Sequence, residues 1–294
     1  MDGGALEASL TSLTGRVVES LARNDDVDAM ALMFLIRRYI ATKRDDLANA
    51  LGLALTRALD RDARAESLEA RARWLTLFAE AATVSEDERI GVAAADLVSW
   101  LRQCWGRVEE VEQLMLSIDA CLKASEVFDP RELVPKAIDE LERTIGRTYQ
   151  PGAGVAHKVS EPGCERGRLG DQVRAASALL TAYMGTGRLP YAMLAEELVQ
   201  YARRTLWDEQ GGFFDGPARA SKPFVLNCEA ARVLCRLATL HDAKEYCELA
   251  VIAPGSNYRD DATRTLETLG SSHREHGVNA AMYGIALGEW IEIA

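Results

Sequence analysis

Residues 179–190 read Leu-Leu-Thr-Ala-Tyr-Met-Gly-Thr-Gly-Arg-Leu-Pro, and this stretch decides the fold class. One helical pattern ends at Thr186-Gly187 and the next begins at Pro190, so only a short turn separates the two. Glycine is favoured just after a helix, and proline is favoured in the first turn of one. Similar junctions end at Thr42 and Thr239. The sequence therefore predicts antiparallel helical hairpins joined by short turns.

Apolar residues recur at helical spacing along almost the whole chain. We place thirteen helices at residues 5–23, 27–42, 45–60, 65–83, 86–103, 108–124, 130–146, 169–185, 190–207, 225–240, 242–252, 259–271 and 276–293. Ser85 is the predicted N-cap of the fifth helix, in a capping box with Glu88. Because six hairpins need about twelve helices, the predicted fold class is all-α, an (α/α)6 toroid of antiparallel helical hairpins forming a single domain over residues 1–294. The junction spacing is not constant, which argues against a tetratricopeptide array.

Charge and composition argue against several function classes. The 294 residues include 34 basic and 45 acidic ones, for a net charge of -11, and the sequence has no concentrated basic face. Neither nucleic acid nor an anionic membrane surface is therefore expected as a partner. The sequence contains no transmembrane-length apolar run, no signal-peptide pattern and no Cys-x-x-Cys pair. We expect a cytoplasmic protein without a metal or a cofactor.

Two irregular loops interrupt the helices, at residues 149–172 and 207–215. Connections in helical bundles usually take about two to eight residues, so the first loop is unusually long. The loops contain glycines, aromatic residues, a histidine and carboxylates, which is a composition typical of a pocket wall. We therefore predict that they border a ligand-binding site and that residues 150–168 move when a ligand binds.

The predicted catalytic residues are Asp171, His157 and Glu229. Asp171 could bind a sugar hydroxyl or act as a general base, or it could simply cap free amides at a helix start. His157 could transfer protons in partnership with a carboxylate, or it could be a structural residue. Glu229 begins an inner helix, and two carboxylates across a cavity would suit glycoside hydrolysis.

The predicted ligand-binding residues are amides, aromatic rings and one further carboxylate: Gln172, Trp207, Phe213, Phe214, Asp215 and Asn227. Aromatic rings stack on the apolar face of a sugar. In the alternative interpretation, Gly211-Gly212 makes a turn, the phenylalanines fill the core and Asp215 caps the turn.

The second half of the chain, roughly residues 141–294, resembles the C-terminal helical toroid of the YyaL-like, spermatogenesis-associated thioredoxin-domain proteins, which belong to the six-hairpin glycosidase-like group. The matching segments are 167–172, 179–183, 186–187, 202–215, 227–237 and 276–283. The resemblance implies a toroid with a central cavity, with Asp171 in the pocket wall and Tyr283 among the ligand-binding residues. Family members usually begin with a thioredoxin-like domain. This chain has neither a βαβ pattern nor a redox cysteine pair, so a thiol-redox role does not carry over.

The function predicted from these features is binding of a small polar or sugar-like molecule in the central cavity, with acid/base chemistry of the epimerase or hydrolase type. One alternative is a non-catalytic helical scaffold for a protein partner, which a large apolar patch on helices 5–60 would favour. A second alternative is an isoprenoid-type cyclase, which needs an aspartate cluster for diphosphate. The short acidic runs are Asp25-Asp26-Val-Asp28, Asp45-Asp46 and Asp260-Asp261, and none has the full spacing.

Overall fold

The computed structural model describes residues 3–23, 28–60, 66–128, 130–161, 163 and 165–294. These residues form thirteen α-helices: α1 (Gly3–Arg23), α2 (Ala29–Thr42), α3 (Asp45–Asp60), α4 (Leu68–Ala81), α5 (Glu88–Cys104), α6 (Val111–Ser125), α7 (Pro130–Thr148), α8 (Leu169–Thr186), α9 (Leu189–Leu206), α10 (Phe224–Asp242), α11 (Lys244–Leu249), α12 (Tyr258–Gly270) and α13 (Ala280–Ile293). The all-α prediction is confirmed, and every helix begins and ends within about four residues of its predicted position.

Six of these helices form a closed inner ring. Helices α2, α4, α6, α8, α10 and α13 each pack against the next, and α13 packs back onto α2. Helices α1, α3, α5, α7, α9 and α12 lie outside this ring, which is the arrangement of an (α/α)6 toroid. Because an outer helix returns the chain after each inner one, the inner helices run parallel. Their N-termini therefore meet at one end of the ring, the amino end, and their C-termini at the other, the carboxyl end.

The inner helices are apolar enough to be buried on most sides. In α2, residues 29–36 are all buried, and in α13 residues 280–287 and Trp290 are buried. Gly187, just after α8, adopts the left-handed conformation with a φ of 69°, as the Thr186-Gly187 junction predicts. The predicted cap of α5 is wrong: the helix begins at Glu88 behind Asp87, whose carboxylate accepts from the backbone N–H of Arg89.

The two long loops both lie at the amino end of the ring. The first contains a two-stranded antiparallel sheet of β1 (Tyr149–Gln150) and β2 (Gly154–Val155). The second contains an isolated bridge between Trp207 and Phe213. Most connections at the carboxyl end are short, for example the two residues between α2 and α3, whereas α11 and residues 250–257 join α10 to α12. None of the described helices combines the length and the apolar character needed to cross a membrane.

Candidate functional site

A cavity of about 380 Å³ lies inside the ring, and all six inner helices contribute to its wall. Its lining includes six basic and five acidic side chains. The lining residues that are exposed to solvent, Thr83, Glu126, Val127 and Met184, all lie in or just beyond the last turn of their helices. The cavity therefore opens at the carboxyl end of the ring, on the side opposite the two long loops.

A cluster of four charged side chains forms the amino-end floor of the cavity, and we call it the floor cluster. Arg174 Nε donates to Glu229 Oε2 at 3.0 Å, and Arg174 Nη2 donates to Glu69 Oε1 at 3.0 Å. Arg73 bridges the same two carboxylates, at 2.7 Å from Glu69 and 3.3 Å from Glu229. Burial alone would lower the pKa of Arg174, but Glu229 and Glu69 outweigh it and raise that pKa. The floor is thus made of ion pairs that join α4, α8 and α10.

A second group, the ring-closing cluster, consists of Arg37, Glu80, Arg232 and Glu289. Arg37 Nε donates to Glu80 Oε2 at 3.0 Å, and Arg37 also binds Glu289. Arg232 donates to both oxygens of Glu289, at 2.9 Å from Nε to Oε2 and at 2.8 Å from Nη2 to Oε1. Burial alone would raise the pKa of Glu289, but the two guanidinium groups outweigh it and lower that pKa to about 2. Glu289 is therefore ionised at neutral pH.

The third group, the hydroxyl cluster, consists of Asp119, Lys123, Ser177, Thr181 and Arg236. The carboxylate of Asp119 accepts from Lys123 Nζ at 2.8 Å, from Ser177 Oγ at 2.9 Å and from Thr181 Oγ1 at 2.6 Å. Burial alone would raise the pKa of Asp119, but the charges of Lys123 and Arg236 outweigh it and lower that pKa. Arg236 donates to the two hydroxyl oxygens at 3.3 and 3.1 Å. The hydroxyls therefore stand between the guanidinium and the carboxylate.

Of the three predicted catalytic residues, Glu229 lines this cavity, whereas Asp171 and His157 are not among the lining residues. The structure brings Asp171 and His157 together at the amino end, with His157 Nδ1 at 3.2 Å from each carboxylate oxygen of Asp171. Asp171 also accepts from the backbone N–H of Glu112, in the first turn of α6, at 3.1 Å. On its other side, His157 Nε2 lies 3.2 Å from a guanidinium nitrogen of Arg168.

The environment of Asp171 changes its protonation. Its side chain is fully buried, and this burial raises its pKa to about 7 although His157 acts in the opposite direction. With Arg168 donating to Nε2, the His157 Nδ1–H is free to donate to Asp171. The pair has the right atoms for proton transfer, but in this position it connects the 149–168 loop to the starts of α6 and α8.

The predicted amide ligands each clamp a long loop onto an inner helix. Gln172 accepts from the backbone N–H of Val155 at 2.9 Å and donates to its carbonyl at 3.1 Å. Asn227 makes the same pair of bonds with Phe213, at 2.7 and 2.9 Å. Both amides are buried. Each amide thus substitutes for a backbone strand partner at the amino end.

The predicted aromatic residues pack at the same end. Trp207 and Phe213 are buried against each other, edge to face, with ring centroids 5.0 Å apart. Phe214 is partly exposed and lies under the guanidinium of Arg219, 4.3 Å from the ring centroid. Tyr283 is buried and stacks on His273. None of these four aromatic residues is among the lining residues of the cavity.

Asp215 and the short acidic runs have local partners. Asp215 accepts from the backbone N–H and the hydroxyl of Ser221, at 3.3 and 3.0 Å. Asp28 caps α2, Asp46 pairs with Arg44 and Asp261 pairs with Arg203, whereas Asp25 and Asp26 lie outside the described residues. The described aspartates of these runs do not converge on the cavity.

The cavity charges are the functional candidates that the sequence reasoning did not identify. They are Arg37, Arg73, Glu80, Asp119, Lys123, Glu126, Arg174, Arg232, Arg236 and Glu289. A signal for them is present in the sequence. Charged residues inside an otherwise apolar helix, as in Arg232-Val-Leu-Cys-Arg236, lie four apart and therefore share one face. When a helix packs against a neighbouring helix on each side, a face that carries two charges has to point to a polar space, because the packed sides are apolar.

The comparisons with known proteins concern the fold. The sequence matches no protein-family profile, and no curated protein is detectably similar to it in sequence. The unsaturated glucuronyl hydrolase of Bacillus sp. GL1 has a TM-score of 0.72 and 14% identity, over 96% of this chain and 96% of its own. The α-1,6-mannanase GH76A of Salegentibacter sp. HEL1_6 has a TM-score of 0.64 and 11% identity, over 97% of this chain and 99% of its own.

The cellobiose 2-epimerase of Bacillus thermoamylovorans B4167 is also similar, with a TM-score of 0.65 and 9% identity over 84% of this chain and 77% of its own. These three proteins are six-hairpin, glycosidase-like toroids, so the broad part of the predicted resemblance is confirmed. At such low identities the likeness establishes the architecture alone.

Proposed function

We propose that the central cavity binds a small, polar, sugar-like molecule, which enters at the carboxyl end of the ring. The observation that carries this proposal is the cavity itself. It measures about 380 Å³, within the usual size of small-molecule sites, and all six inner helices line it with hydrogen-bonding side chains. Sugars need many fixed donors and acceptors, and ion-paired side chains on packed helices supply them with little loss of conformational freedom.

Two further features support a sugar-like ligand over a protein partner. The similar solved structures include two glycoside hydrolases and an epimerase, all of which act on sugars. On the described part of the helices in residues 5–60, the large exposed hydrophobic residues are Ile40 and Leu53. Single exposed hydrophobic side chains are normal and do not form the patch that a scaffold would use.

The proposal concerns binding of the ligand, and catalysis of a reaction on it is a separate question. Acid catalysis needs a group that holds a proton at neutral pH, whereas Asp119 and Glu289 have lowered pKa values and are ionised. They suit the roles of hydroxyl ligand, general base or stabiliser of positive charge. Glu229 is the predicted catalytic residue that faces the cavity, and we propose it as the first residue to test for chemistry.

We also propose that residues 1–294 form one toroid domain related to the YyaL-like group. The support for one domain is that α1 and α2, from the start of the chain, pack with α13 from its end. The support for the relationship is the set of motifs in residues 141–294, together with the shared six-hairpin architecture.

A blocked-cavity variant tests the binding proposal. Thr76 lines the cavity, and Thr76→Trp would fill much of it. Thr56→Trp is the matched control, because Thr56 is an exposed helical threonine whose hydroxyl likewise bonds to the carbonyl four residues earlier. We would measure thermal shifts with glucose, mannose, cellobiose and glucuronate. A sugar that stabilises the wild type and Thr56→Trp, but not Thr76→Trp, is the expected result. A stabilisation that persists in Thr76→Trp would contradict the proposal.

A further inference from the structure

The basic side chains that line the cavity differ in their partners. Five of them have a carboxylate within ion-pair distance: Arg37, Arg73, Lys123, Arg174 and Arg232. Arg236 has none among the described residues. It lies in the middle of α10 and faces the cavity. Arg236 is half-buried, and an arginine of this kind is unusual because a guanidinium that is partly withdrawn from water normally takes a counter-ion.

The contacts of Arg236 hold the side chain in place without neutralising it. One terminal nitrogen donates to the carbonyl and the hydroxyl of Ser177, at 3.1 and 3.3 Å. The other donates to Thr181 Oγ1 at 3.1 Å. A guanidinium has five N–H groups, and these contacts leave the Nε–H and one terminal N–H without an acceptor among the described residues. The guanidinium is therefore oriented by neutral oxygens and keeps donors for a further partner.

The nearest carboxylate is already occupied. Asp119 receives the hydroxyl protons of Ser177 and Thr181, and its direct ion-pair partner is Lys123 at 2.8 Å. The cavity as a whole has six basic and five acidic lining side chains, although the chain has a net charge of -11. Burial lowers the pKa of Arg236, as expected for a guanidinium whose charge is incompletely compensated.

We propose that Arg236, oriented by Ser177 and Thr181, is an oxyanion subsite and that the ligand of the cavity carries a carboxylate or phosphate group. This inference rests on the proposed sugar-binding function and narrows the ligand to an acidic sugar. An oxyanion would accept from the free Nε–H and terminal N–H together. Such paired, charge-assisted hydrogen bonds to arginine are stronger and more directional than those between neutral groups.

The test compares sugars that differ in one group. Glucose, sodium glucuronate, glucose 6-phosphate and inorganic phosphate are titrated calorimetrically into the wild type at constant ionic strength. We expect at least one acidic sugar to bind about tenfold or more tightly than glucose. The glucuronate and glucose 6-phosphate titrations distinguish a carboxylate from a phosphate ligand. Equal affinities for glucose and both acidic sugars would overturn the subsite and leave the sugar-binding function standing.

Three variants test whether Arg236 causes the tighter binding of the acidic sugar. Arg236→Gln should remove most of the difference between the affinities for the acidic sugar and for glucose, whereas Arg23→Gln, at an exposed arginine on α1, should leave that difference as in the wild type. Asp119→Asn should raise the affinity for the acidic sugar relative to that for glucose, because it removes the nearest negative charge and frees Lys123. If Arg236→Gln does not fold, Asp119→Asn decides the question, since an unchanged or smaller ratio of the affinity for the acidic sugar to that for glucose would refute the subsite.

The remaining outcomes separate the two proposals. Phosphate binding that depends on Arg236, without binding of any sugar, would support the subsite and refute the sugar-binding function. The absence of binding by all four probes would refute both.

Discussion

The buried carboxylate of Asp171 sits between three amino-end elements. It accepts hydrogen bonds from the first turn of α6 and from the His157 ring, while belonging to the first turn of α8. A side chain with this many structural contacts has a stabilising role, whatever chemistry it also supports. A variant that removes the charge of Asp171 can test whether this side chain stabilises the fold without taking part in ligand binding in the central cavity.

Asp171→Asn should change how stability depends on pH. The folded-state pKa of Asp171 is raised to about 7, so the folded protein binds a proton that the unfolded chain releases near pH 4. The stability contributed by this proton is complete below about pH 4 and is lost as the pH rises through about 7. Between pH 5 and pH 8 the wild type should therefore lose about 2 kcal/mol relative to Asp171→Asn, as measured by urea unfolding.

Parallel pH profiles for the two proteins would contradict this prediction. The affinity of the cavity for a sugar is the second measurement on Asp171→Asn. We expect the sugar that binds the wild type to bind Asp171→Asn with similar affinity, because Asp171 is not among the residues that line the cavity. Loss of sugar binding in a stable Asp171→Asn protein would instead restore Asp171 to the catalytic role predicted from the sequence.

The sequence identified the residue types of this network but could not identify all its partners. His157 and Asp171 lie in one loop and helix start, so their proximity could be predicted from spacing. Glu112, whose backbone N–H completes the site, is 59 residues earlier in the chain. The partners of Arg236 and Asp119 are distant in the same way. The spacing of Arg232 and Arg236 marks a charged helix face, but what that face meets is set only when the ring brings α6, α8 and α10 together.

At the scale of elements, the two long loops are attached to the ring by the same device. Gln172 in α8 and Asn227 in α10 each bond to both backbone groups of one loop residue. Sequence composition suggested that these loops form a pocket wall. Their buried amide clamps explain much of that composition structurally, because polar side chains are needed to satisfy the backbone of a loop packed onto helices.

Asn227→Asp should release the second loop. The substitution replaces the donating NH2 group with a carboxylate oxygen facing the carbonyls of Phe213 and Pro223, which are acceptors. We expect a loss of about 2 to 4 kcal/mol in the free energy of unfolding, and proteolysis within residues 207–223 below the melting temperature. Asn279→Asp is the control, because Asn279 is exposed and should change stability by less than about 1 kcal/mol. Equal protease resistance of both variants would count against the clamp.

At the scale of the whole molecule, the fold was predictable because the hairpin junctions and the helical periodicity are local features. Thirteen helices with mostly short turns at one end suit a closed ring of six hairpins. The closure itself depends on contacts between opposite ends of the chain, which no local pattern reports. It is made by α13, which packs between α10 and α2, and by Glu289, which binds Arg37 and Arg232.

Ring closure also depends on the absence of a side chain at Gly284 in α13. A Cβ atom there would lie 2.5 Å from Phe34 Cε2 and 2.7 Å from Leu13 Cδ2, both in buried side chains of the first two helices. Gly284→Ala should therefore force the ends of the chain apart and cost about 1 to 3 kcal/mol. Gly288→Ala, one turn later, meets nothing within 4 Å and should be neutral or stabilising, because alanine favours helix over glycine. Similar melting temperatures for the two variants would mean that the ring closes without this tight contact.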